Sequence, residues 1–125
     1  MDSYDPDKSP IPTDWLQTDE SERIELVSSY HRRKKIKLAN AQLHAVIHVV
    51  VENQLALGEQ IVAETLARLQ NEGLGRHDAV HAIGSVLVED LYALMKMEDD
   101  SDRGEIYQQY LRRLQELTAK GWRAG

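Results

Sequence analysis

All three prolines of this 125-residue chain, Pro6, Pro10 and Pro12, lie at its N-terminal end, and none follows. Beyond Pro12 no residue removes a backbone donor or pushes against the preceding turn, so helices can run uninterrupted. Strand signals are weak, because sustained period-two alternation bounded by hairpin turns is missing. The chain therefore reads as all-α: an antiparallel bundle of four to five helices behind an irregular N-terminal arm. The arm is expected over 1–17, pinned by Ile11, Trp15 and Leu16, and a single helical domain over 18–121. At this length roughly two thirds of the unfolded surface can be buried, so neither disulfide nor metal is required merely to fold.

Apolar spacing places the helices. The first is predicted to start at Thr18 or Asp19, with an acidic first turn, and to carry Ile24, Val27 and Tyr30 on one face. A basic run, Arg32, Arg33, Lys34, Lys35 and Lys37, marks its end. These cations either complement the C-terminal carbonyls or form a patch for an anion or a partner. The second helix is predicted from an Asn40 cap to about Leu55. Ala45, Val46, Ile47, Val49, Val50 and Val51 make it apolar nearly all round, as in a buried helix. Its β-branched residues leave a strand over 45–51 as the alternative. Gly58 breaks the chain before a third helix over about 59–71, with Ile61, Val62, Leu66 and Leu69 as its stripe, and Gly73 is the expected C′ residue. A fourth helix over about 77–97 turns Val80, Ile83, Leu87, Leu91 and Leu94 or Met95 inward. An acidic loop at 98–102 leads to a fifth, with Ile106, Tyr110, Leu114 and Leu117, closed by Gly121 and anchored by Trp122.

Composition narrows the chemistry. There is no cysteine, which excludes disulfide frameworks, thiolate zinc sites, iron–sulfur clusters and cysteine catalysis. The net charge is −6, and exposed aromatics are few, which disfavours nucleic-acid binding. No apolar run approaches the ~20 residues of a membrane span. The acidic start lacks the basic and apolar regions of a signal peptide, so the expected location is cytoplasmic. A homodimer is left open, since the apolar second helix can be covered within one chain or by a second copy.

The unusual polar resource is histidine, five in all. Four form two H-x-x-x-H pairs, His44 with His48 and His77 with His81. Residues four apart drift only about 40° around a helix, so each pair offers two imidazole nitrogens from one face. Glu52 extends the first stripe by a further turn. Glu89 lies about 120° from His77 by the same reckoning and is a poorer continuation. The two pairs are 33 positions apart, but Glu52 aligns with Ser85, so the likeness between them stops there. Polar groups on a buried helix cost about 1–3 kcal/mol each unless satisfied. Two readings satisfy them: a transition metal held by His44, His48, Glu52, His77 and His81, or a structural hydrogen-bond network; the third alternative is that the histidines are exposed and unrelated. Imidazole with one carboxylate suits zinc or iron. Glu52 is then a ligand or the base that activates a bound water. Ala45 stands where a helical zinc protease carries its glutamate, and the Glu-x-x-His pairs of ferritin-like bundles are missing.

Three stretches carry a resemblance: His44 through Ala56 (HAVIHVVVENQLA), Leu69 through Leu74 (LQNEGL) and Arg76 through Gly84 (RHDAVHAIG). They resemble a group of small bacterial all-helical proteins of the domain-of-unknown-function type. That group carries an H-x-x-x-H-x-x-x-E-[NQ]-Q helix followed by an R-H-[DE]-A-[IV]-H-A-I helix. The resemblance covers roughly residues 40–97 and implies a helical fold with a polar centre, but no reaction. A weaker likeness is to haemerythrin-like bundles, with His48 and Glu52, and His77 and His81, in the places of ligand pairs. The last helix of this chain has no histidine, so oxygen binding is not implied. Two functions follow as expectations: a metal-binding helical protein, hydrolytic or redox, or an interaction module whose histidines organise its core.

Overall fold

In the computed structural model the described residues are 1–34, 40–95 and 103–124, without the side chains of 91–95 and 103. Among them the chain is all-α, with seven helices and no strand. They are α1 (Pro12–Gln17), α2 (Glu20–Arg33), α3 (Ala41–Ala56), α4 (Gln60–Asn71), α5 (Arg76–Met95), α6 (Arg103–Glu116) and α7 (Ala119–Ala124). Among the described residues no helix is long and apolar enough to cross a membrane. Contacts divide the chain into two units, Met1–Glu59 and Gln60–Gly125.

In the first unit α2 and α1 both pack on α3. The start of α3 follows from Asn40, whose side chain accepts from the Leu43 N–H at 3.0 Å. Its end follows from Gly58, which adopts φ +77°. The Gly58 N–H reaches the Leu55 carbonyl and the Glu59 N–H the Gln54 carbonyl, the paired bonds of a Schellman cap. The helical reading of 45–51 therefore holds over the strand alternative. Tyr4, Trp15, Val27, Tyr30, Ala45 and Val49 form the core of this unit.

The N-terminal arm departs from expectation in two ways. It is not irregular throughout, because Pro12 occupies the first turn of α1, where its missing N–H is no loss. Its anchors also differ: Trp15 is buried, but Ile11 is 63% exposed and Leu16 37% exposed. Tyr4 is the second anchor. The Trp15 indole donates to Asn53 Oδ1 at 2.8 Å, and Arg23 donates to the same oxygen at 2.9 Å. The other Arg23 nitrogens bond the Thr18 and Leu16 carbonyls, so one guanidinium ties α1, α2 and α3 together.

The second unit packs α4, α5 and α6 against one another, with α7 on α5. Gly73, at φ +105°, ends α4 by the same cap: its N–H bonds the Gln70 carbonyl and the Leu74 N–H the Leu69 carbonyl. Val62, Leu69, Val80, Ile83, Leu87, Ile106, Tyr110 and Leu114 are buried, as their spacing predicts. The last helix is not continuous to Gly121. Arg68 donates to the Leu114 and Leu117 carbonyls, which diverts acceptors the next turn needs. Thr118 then caps a new helix by accepting from the Gly121 N–H at 2.9 Å, and Glu72 accepts from the Ala119 N–H at 2.8 Å. The side chains of Leu91, Leu94 and Met95, whose inward facing was assigned from sequence, and residues 97–102, which include the acidic loop, fall outside what is described.

Candidate metal centre

The first unit gathers three imidazoles. On α3, His44 and His48 stand one turn apart with ring centroids at 6.0 Å. On the last turn of α2, His31 lies 4.8 Å from the His44 ring and 5.6 Å from the His48 ring. His48 and Glu52 are each 2% exposed and His31 4%, while His44 is half-buried. His31 and His48 each offer a ring nitrogen within 4.8 Å of the other. Two nitrogens bonded at ~2 Å to one tetrahedral ion lie inside that limit.

Both fully buried imidazoles engage their Nδ1 atom. His31 Nδ1 lies 2.8 Å from the Val27 carbonyl. A carbonyl only accepts, so Nδ1 carries a proton, and in the neutral ring Nε2 is then the lone-pair nitrogen. His48 Nδ1 lies 3.1 Å from the Tyr4 hydroxyl, which donates to Glu52 Oε2. The Tyr4 ring is edge-on to His48 at 5.4 Å and packs against Trp15 at 5.5 Å and Tyr30 at 6.4 Å. Burial, and then the Asp7 and Asp5 carboxylates, push the Tyr30 phenol above its ordinary value.

In the second unit His77 and His81 occupy the first two turns of α5, with ring centroids 4.1 Å apart and ring nitrogens within 4.8 Å. Both are half-buried. Glu89 is exposed and forms an ion pair with Arg113, in keeping with its drift from the histidine face. The same arginine holds Asp90 Oδ1 at 2.9 Å. Burial raises the Asp90 carboxyl above the usual range.

Among the basic residues Arg32, Arg33 and Lys34 are exposed at the end of α2, and Lys35 and Lys37 are not described. Arg32 pairs with Glu25 at 2.5 Å, Arg33 Nε reaches the Ser29 carbonyl at 3.4 Å, and the Lys34 ammonium stands 6.0 Å from the Tyr30 ring. Arg33 and Lys34 also line an open groove of about 420 Å³ with Ser3, Tyr4, Asp5 and Tyr30. These cations sit where helix carbonyls point, which suits complementation of the dipole.

Sequence reasoning missed Tyr4 and His31. A signal for His31 exists: Ile24, Val27 and His31 follow the i, i+3, i+7 rule of one buried stripe, but the basic run beside it suggested a solvated helix end. Tyr4 stands alone among acids and prolines, where no periodicity reports burial. No family model, no curated protein and no solved structure matches the chain.

Proposed function

We propose that the protein binds a divalent transition-metal ion, zinc or iron, through imidazole nitrogens. Each unit offers its own candidate ligands, His31, His44 and His48 in the first and His77 and His81 in the second. The supporting observation is the pairing of His31 and His48: helices α2 and α3 bring their ring nitrogens within 4.8 Å, and each has Nδ1 hydrogen-bonded. Metal-bound histidines characteristically use one nitrogen for the ion and the other for a carbonyl or an acid. Imidazole donors without thiolate suit zinc and iron.

Metal analysis of the full chain, purified without a histidine tag and reconstituted with zinc or ferrous ion, tests this reading. Stoichiometric metal and a raised Tm support it. Less than roughly 0.1 ion per chain with an unchanged Tm overturns it, because an ion that binds the native state must stabilise it. Alanine at His31 and His48 and, separately, at His77 and His81 reports which unit holds the ion.

One observation favours a second reading, a structural network without an ion. Tyr4 already links His48 to Glu52 in a continuous hydrogen-bonded chain. On that reading His48→Ala lowers stability by the same amount whether metal is present or chelated. On the metal reading the loss is larger in the presence of metal.

A further inference from the structure

Glu52 lies on the histidine stripe of α3, where the sequence offers it as a ligand or base. Its Oε2, however, accepts from the Tyr4 hydroxyl. That hydroxyl also touches His48 Nδ1 at 3.1 Å. A phenol has one proton and can donate once, and here it donates to Glu52 Oε2. The Tyr4 proton therefore belongs to Glu52, and the Tyr4 oxygen accepts from His48 Nδ1–H. The donor order is His48 to Tyr4 to Glu52.

From this order we infer that Tyr4 is a positioning residue for the metal centre. It holds the His48 proton on Nδ1, passes the influence of the Glu52 carboxylate to the ring, and leaves Nε2 to meet the ion. Glu52 acts through Tyr4 and does not itself coordinate. The inference rests on the metal-binding reading above and gives it a defined donor atom. His31 reaches the same tautomer by an independent route, through the Val27 carbonyl at 2.8 Å. The two rings come from different helices and use different acceptors, yet both turn Nε2 into the lone-pair atom. Both Nε2 atoms are withdrawn from solvent. Glu52 also borders a cleft of about 30 Å³ with Ser9, Pro10, Pro12, Trp15, Leu55 and Ala56, room for a single water beside the carboxylate. An acid behind a phenol behind an imidazole raises the basicity of the coordinating nitrogen, as a direct carboxylate–histidine contact does.

The experiment has two readouts on the full chain. Long-range proton–nitrogen correlation spectra of the nitrogen-15-labelled, metal-free protein, recorded above the imidazole titration range, identify the protonated nitrogen of His48. Competition with a chromophoric chelator gives the affinity for zinc. The wild type is expected to carry Nδ1–H at His48. Tyr4→Phe is expected to move the proton toward Nε2 and to weaken zinc by about 10–100-fold, the usual effect of losing an outer partner. Glu52→Gln keeps an acceptor for the phenol, so it is expected to retain the tautomer and to lose less affinity. Zinc binding by a wild type that carries Nε2–H at His48 overturns the relay and leaves the metal reading standing. Nδ1–H at His48 in a chain that binds no zinc overturns the metal reading and, with it, the ligand-positioning role of Tyr4. Tyr4→Phe that binds zinc within about twofold of wild type also overturns the role, since an outer partner worth the name exceeds that effect. The wild-type spectrum decides the donor order even where a variant folds poorly.

Discussion

In Met1–Glu59 the deepest side chains include Trp15, Tyr4, His48 and Glu52, while in Gln60–Gly125 they are Tyr110, Leu69, Ile83, Leu114 and Val62. The second unit keeps Arg68, Glu72 and Arg113 at its margins, tying helix ends together. The first unit buries an acid, a phenol and imidazoles alongside Val27, Val49 and Val51. The second unit also buries Thr65, Arg76 and Asp90, but none of these is among its largest fully buried side chains.

The contrast can be broken by substitution, and the largest effect is expected in the apolar unit. Ile83→Ala deletes a fully buried side chain and should cost about 2–5 kcal/mol in urea unfolding. A much smaller loss means that the second unit is loosely packed and the contrast is false. Next is the polar centre. Glu52→Ala leaves the Tyr4 hydroxyl buried without its acceptor and should cost about 1–3 kcal/mol in the metal-free protein. The triple replacement Tyr4→Phe, His48→Leu and Glu52→Leu removes the three hydrogen-bonded partners together, and should leave the metal-free protein as stable as wild type or more so. A triple variant that unfolds shows that the polar centre holds the first unit together, which sharpens the case for a structural network.

Much of the framework was legible. The Asn40 cap, the Gly58 and Gly73 stops and the Val80, Ile83, Leu87 stripe follow from local rules, because each depends on a few adjacent residues. The break at Thr118 was hidden because its cause, Arg68 and Glu72 on α4, lies nearly fifty positions earlier. The candidate site divides the same way. His44, His48 and Glu52 show themselves as a helical row, whereas Tyr4 and His31 join through packing that no window of sequence contains. The role of Asn53 was equally hidden: it accepts from Trp15 and Arg23, contacts 38 and 30 positions away.

Smaller effects refine the contrast. Trp15→Phe removes one donor from Asn53 and leaves Arg23 in place, so the loss should be about 0.5–1.5 kcal/mol by denaturant titration. The smallest effects are in pH dependence, and they carry opposite signs. The Ala119 N–H and then Arg68 hold the Glu72 carboxyl below its ordinary value. Its contribution is therefore present above the normal glutamate range and lost as pH falls through the folded value. Burial raises Asp90, so its contribution is present at low pH and lost as pH rises through the folded value. Glu72→Gln should flatten the acid limb of a stability–pH profile, and Asp90→Asn the fall above the normal aspartate range.

The position of Tyr4 in the chain sets an order of events. Its partners His48 and Glu52 lie 44 and 48 positions further on. Closing a loop of that length takes entropy that neither α2 nor α3 surrenders in forming its own turns. A ribosome releases Tyr4 before any imidazole of the cluster exists, so the first residue of the relay to be made is the last able to take its place. In a newly made chain the His48 ring therefore meets its Tyr4 hydrogen-bond partner only after the arm has docked on α3.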